Sequence, residues 1–96
     1  MLALGTPERA YLDAYLVSET GPEDALAAVS RLRSDGLRVD FDVEGRSVKA
    51  QFRTAGRIEA PVVLVWKGEG VPVDVQTGEE RSQIPLEEVS SWFSNR

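Results

Sequence analysis

The chain has 96 residues, 42% of them hydrophobic, and its 16 acidic against 11 basic side chains leave a net charge of −5; this length holds one domain with one hydrophobic core and no second. It contains no cysteine and no histidine, which excludes disulfide scaffolds, thiol redox chemistry, zinc sites built on those ligands and triads that need an imidazole. No run approaches the roughly 18 apolar residues of a membrane span, and the first residues, MLALGTPERAY, lack the basic flank and long apolar run of a secretory signal, so a soluble, cytoplasmic protein is expected.

Residues 1–12 read as a linker or N-terminal extension of the single domain that spans 1–96. The segment 13–18 is apolar and aromatic and stops at Glu19-Thr20-Gly21-Pro22, which predicts a strand, a turn and a proline at the first helical position. From Pro22, Ala25, Ala28, Val29 and Leu32 recur at helical spacing, Glu23 and Asp24 favour the helix N-terminus, and Gly36 suits a left-handed stop. Alternation over 37–43 predicts a strand with one wet face. The stretch 46–58 returns to helical spacing, with Val48, Phe52 and Ala55 on one side, and Pro61 forces an end near Ala60.

Val62-Val63-Leu64-Val65-Trp66 is continuously apolar and short, as a strand buried on both faces in the middle of a sheet would be. Val71, Val73 and Val75 alternate with polar positions, and Thr77-Gly78 turns into a second strand ending near Ile84; this is a hairpin, with Pro72 at an edge or a strand start. A closing helix over 85–93 sets Leu86, Val89, Trp92 and Phe93 on one face. The fold class is therefore α/β, a mixed five-stranded sheet with three helices in the order β-α-β-α-β-β-β-α. Right-handed crossovers make the first three strands parallel, and the hairpin adds antiparallel partners.

The second helix carries Arg46, Lys49, Arg53 and Arg57, four of the eleven basic residues. They fall within roughly 80° of one another at helical spacing, opposite Val48 and Ala55. A compact positive ridge on an acidic chain can neutralise phosphates, and a helix that follows a strand directly begins at the carboxyl edge of the sheet. The same spacing also fits a solvated face paired with acids such as Asp42, Glu44 or Glu59. Gly68-Glu69-Gly70 lacks the ending of a phosphate loop and reads as a turn. Trp66 and Trp92 fit core packing better than base stacking, whereas alternation leaves the face of Tyr15 open. The acids are scattered as on a solvated surface, and no metal or cofactor is expected.

Arg46-Ser47-Val48-Lys49-Ala50-Gln51-Phe52-Arg53 resembles the RSLKAQ-type helix of the histidyl-tRNA synthetase anticodon-binding (C-terminal) domain, in the class II aminoacyl-tRNA synthetase family. Leu32-Arg33 through Gly36-Leu37-Arg38-Val39 is similar to that domain's LR-to-GLRV passage, and Ala60-Pro61-Val62-Val63-Leu64-Val65 to its GAPYVLI strand. The ending, Val73 to Glu80 and then Pro85-Leu86-Glu87-Glu88-Val89, is similar to VKDLxTGEQ followed by VPLDEL. The likeness runs in order from about residue 13 to 93. The connection from Val65 to Val71 departs from it, being shorter than the family's loop and carrying Trp66-Lys67 in place of a glycine.

The resemblance implies an anticodon-binding module that docks on the anticodon stem-loop of histidine tRNA while a separate catalytic domain performs aminoacylation. Arg46 and Lys49 are then candidates for phosphate or base contact, Arg53 continues the track, and Arg57 ranks last. Gln51 either reads a base edge through its amide or faces a neighbouring element, and Ser47 either caps the helix or touches RNA. A regulatory or protein-interaction domain that kept the fold is the competing expectation, with a synthetase catalytic domain or another protein as partner. Nothing in these residues resembles a synthetase's ATP or histidine site, so no catalysis is expected from them alone.

Overall fold

Ala14–Ser18 (β1) is an apolar five-residue run buried along its whole length, and such a run is stable only where other elements cover both of its faces. The structure, a computed structural model, describes residues 12–95; the expected extension over 1–12 lies, but for Leu12, outside them. From β1 the chain turns through Gly21 into helix α1, Pro22–Ser34. Proline presets the first turn, Glu23 and Asp24 sit at the positive end of the helix dipole, and Arg31 and Arg33 sit at the negative end. The helix stops where Gly36 takes φ 95 and the Leu37 amide donates to the Leu32 carbonyl at 3.1 Å, a left-handed closure that glycine adopts without strain.

Strand β2, Val39–Phe41, pairs parallel with β1. It is shorter than the alternation over 37–43 predicts, because Asp42 leaves the ladder and uses its carboxylate to close the next turn. Helix α2 is Val48–Arg57, and the Ser47 hydroxyl accepts the Ala50 amide at 3.2 Å as its N-cap. Arg46, expected on the helix, therefore lies in the β2–α2 loop. Strand β3, Val63–Trp66, runs parallel to β1 on its other side. The hairpin of β4, Val73–Gln76, and β5, Arg81–Ile84, continues the sheet antiparallel. A 3-10 turn at Leu86–Glu88 leads into α3, Val89–Ser94.

The sheet order is β2-β1-β3-β4-β5, with β3 at its centre, so the architecture is the mixed five-stranded sheet with three helices that the sequence predicts. Alternation divides the core between two layers. Ala14, Leu16, Leu64, Trp66, Val73 and Val75 face α1 and α3, which bring Ala25, Ala28, Val29, Leu32 and Val89. On the opposite face Tyr15 and Val17 meet Ala55 of α2, with Val48, Ala60 and Val63 around them, which settles the face of Tyr15. Trp66 is core, its indole N–H donating to Asp24 Oδ2 at 3.1 Å. The Gly68-Glu69-Gly70 segment is a turn, closed by the Val71 amide on the Gly68 carbonyl at 3.2 Å.

Candidate nucleic-acid interface

The βαβ crossover places the N-terminus of α2 at the carboxyl ends of β1 and β2, where a shallow cleft is lined by Ser18, Pro22, Asp42, Gly45, Arg46 and Ser47 among others. The loop leading there is built on Asp42. Its carboxylate, almost fully buried, accepts the amides of Glu44 at 3.1 Å and Arg46 at 2.9 Å, and the Arg46 guanidinium at 3.1 Å. Gly45 completes the turn at φ 71, a conformation that favours glycine, and a Cβ there would crowd Pro22 Cδ at 3.3 Å. In the sequence Asp42 offers itself only as a charge partner for the cations. An acid at a strand end that satisfies amides two and four residues on is the Asx-turn signature that identifies its second role.

Arg46 is thus fixed rather than free. Besides Asp42 it donates to Thr54 Oγ1 at 3.2 Å, and its side chain remains 44% exposed. Burial is the largest single influence on the Asp42 carboxyl and pushes it up, yet the amides of Arg46 and Glu44 with the guanidinium together hold it below its ordinary value. A carboxyl lowered on folding contributes stability that is present above the unfolded value of about 3.9 and is lost as pH falls through the folded value. Asp42→Ala is expected to cost about 2 kcal/mol near neutral pH through its lost charge-assisted hydrogen bonds. Thermal melts should show this difference beginning to shrink as pH falls below the unfolded value of about 3.9 and vanishing only below the lower folded value, where the wild type has also lost its carboxylate.

Gln51 is turned inward. In β1 the even-numbered amides point toward β2, as Ala14 does in donating to the Arg38 carbonyl, but β2 ends opposite Leu16. Ser18 therefore has no strand partner on that side. Gln51 supplies one: its Oε1 accepts the Ser18 amide at 2.8 Å, and its Nε2 donates to the Ser18 carbonyl at 3.1 Å and to the Arg46 carbonyl at 2.8 Å. The side-chain amide stands in for the missing peptide of β2. Of the two alternatives for Gln51, the geometry gives the neighbouring-element one, since its amide is buried and bonded to backbone groups at both ends. The buried side of α2 is consequently Val48, Gln51 and Ala55, whereas Phe52, expected there, is 37% exposed.

Lys49, Arg53 and Arg57 lie on the opposite, exposed side of α2. Four-residue steps set them in a row about 12 Å long. Among the described residues none of the three has a hydrogen-bond or ion-pair partner; of the basic residues predicted for this site, only Arg46 meets an acid. The structure therefore brings together three cations that are unpaired among the described residues, holds Arg46 at the head of the row, and removes Gln51 from the surface.

Residues 14–96 match the family model described as the anticodon binding domain. The histidine–tRNA ligase of Geobacillus kaustophilus (strain HTA426) is 33% identical over 97 residues, 94% of this chain and 23% of that protein. The histidine–tRNA ligase of Streptococcus uberis (strain ATCC BAA-854 / 0140J) is 33% identical over 91 residues, 86% of this chain and 21% of that protein. The chain thus spans under a quarter of the length of these curated relatives. Among solved structures, apo S. aureus histidyl-tRNA synthetase matches with a TM-score of 0.72 at 25% identity, over 96% of this chain and 25% of that one. The RNA binding domain of threonyl-tRNA synthetase from Cryptosporidium parvum Iowa II gives 0.75 at 16% identity, over 88% of this chain and 23% of that one, which shows a common fold. With a matched fold, and a match that runs from β1 to the last residue, this chain belongs to the anticodon-binding-domain family.

Proposed function

We propose that the chain is the tRNA-binding module of a histidyl-tRNA synthetase or a synthetase-related protein, and that it docks α2 on the anticodon stem-loop of histidine tRNA. The observation that carries this reading is the row of Lys49, Arg53 and Arg57, unpaired among the described residues on a chain of net charge −5. A row of exposed cations with no acid paired to it keeps its attraction for phosphates. Arg46, half neutralised by Asp42, orients one phosphate or base edge at the head of the row, and Gln51 acts indirectly by fixing the loop that carries Arg46. Charging of the tRNA falls to a catalytic domain outside these residues, in the cytoplasm.

Filter binding with the isolated histidine anticodon stem-loop tests the reading, with a stem-loop of the same length and a different anticodon as competitor. The histidine stem-loop is expected to bind at low salt, to weaken as salt rises, and to resist the competitor by roughly tenfold, as one or two discriminating base contacts would give. Equal competition would remove the histidine assignment, and absence of binding to either RNA would remove RNA binding altogether.

A further inference from the structure

We infer that Phe52 is a stacking platform for one unpaired base of the bound RNA loop, and that Gly56 is the residue that keeps it open. The inference rests on the RNA-binding reading above and adds to it a second kind of contact. Phe52 is the aromatic side chain of α2 and is 37% exposed, while Tyr15 and Trp66, each in the sheet, are both 4% exposed. At helical spacing it falls between Val48 at the buried edge and Lys49 on the cationic row. Thr54, on the other flank, faces Arg46, so Phe52 occupies the flank directed away from the β2–α2 loop. Its neighbours one helical turn before and one position after are Lys49 and Arg53, both without partners among the described residues.

The second observation is the glycine. Side chains on a helix lean toward its N-terminus, so the residue four positions on covers the one below it. For Phe52 that position is Gly56, inside the last turn of α2. A glycine in a helix costs stability, and two structural reasons ordinarily justify it. Neither applies: Gly56 does not have a positive φ, and a Cβ built on it meets nothing within 4 Å. The left-handed residue at this helix end is Glu59, at φ 57. What position 56 lacks is a side chain long enough to lie back over the exposed phenyl ring; a Cβ alone would not reach it. An aromatic face rimmed by cations accepts any base by stacking while the cations hold the flanking phosphates.

The test compares the wild-type chain with Phe52→Leu, Phe52→Tyr and Gly56→Leu on two RNAs, the histidine anticodon stem-loop and a fully paired duplex of equal charge. Phe52→Leu keeps the apolar bulk and is expected to bind the stem-loop roughly tenfold more weakly, the size of one lost stack, with duplex binding unchanged. Phe52→Tyr should bind as wild type does. Gly56→Leu should bind the stem-loop as weakly as Phe52→Leu while melting no lower than wild type, since leucine is the better helix former. Stem-loop binding that is indifferent to Phe52→Leu, or a loss equal on both RNAs, would overturn the platform and leave the RNA reading standing. If the wild-type chain binds neither RNA, the RNA reading itself fails and the platform with it.

Discussion

Gln51→Leu is expected to lower the stability of the domain by about 3 kcal/mol, because a buried amide and the carbonyls it serves cannot be left unpaired cheaply. Leucine matches the volume of glutamine, so packing against Val48 and Ala55 is retained and the loss isolates the hydrogen bonds. The groups orphaned are the Ser18 amide, held at 2.8 Å, and the carbonyls of Ser18 and Arg46. At roughly 4–8 °C per kcal/mol for a domain of this size, the melting temperature should fall by more than about 10 °C. Gln51→Glu is expected to do no better near neutral pH: its carboxylate could still accept from the Ser18 amide, yet it would face two carbonyl oxygens with nothing to donate. The check is thermal denaturation of both variants. A melting temperature within a degree or two of wild type would show that Ser18 finds its partners elsewhere and that Gln51 is not what joins β1 to α2.

That residue also marks the limit of what the sequence discloses. Val48 and Ala55 define the inner side of α2 in either reading, and the third member could be Phe52 on one flank or Gln51 on the other. The two choices differ by a rotation of roughly 35° about the helix axis. Periodicity counts apolar residues and so selects Phe52. The structure selects Gln51, because β1 outlasts β2 and its last amide and carbonyl need a partner that only a side chain can reach. A polar residue is buried where it completes a ladder, and the length of a neighbouring strand is not written in the local pattern.

The remaining architecture was legible because the punctuation is strong. Pro22 and Gly36 bracket α1, Pro61 separates α2 from β3, and Thr77-Gly78 joins β4 to β5; each is a residue whose backbone chemistry leaves few options. The continuous apolar run before Gly68 correctly gave the central strand. At the candidate site the sequence identified the cations but not their states. Arg46 sits four residues after Asp42, and Lys49 five residues after Glu44, and nothing in those spacings says that the first pair forms at 3.1 Å while Lys49, Arg53 and Arg57 stay unpaired among the described residues. The difference arises because Asp42 is turned in by the amides it accepts, which leaves a single cation within its reach.

Removing the row is the change expected to affect function most. In Lys49→Ala/Arg53→Ala/Arg57→Ala the folded state should be nearly untouched, since the three side chains are exposed and alanine favours the helix. Each lost phosphate contact is worth about 1 kcal/mol or somewhat more, so binding of the histidine anticodon stem-loop at low salt should weaken roughly a hundredfold. Salt dependence is the sharper signature. Every phosphate released from a basic side chain changes the slope of log affinity against log salt by about 0.7 on single-stranded RNA, or roughly 2 for the three together. Arg31→Ala serves as the control, because Arg31 lies on α1 across the sheet and pairs only loosely with Asp35, at 3.7 Å. The decisive measurement is therefore the salt slope of stem-loop binding for the wild type, the triple variant and Arg31→Ala. Docking through α2 predicts a slope flatter by about 2 in the triple variant alone; an unchanged slope there, or an equal flattening in Arg31→Ala, would contradict it.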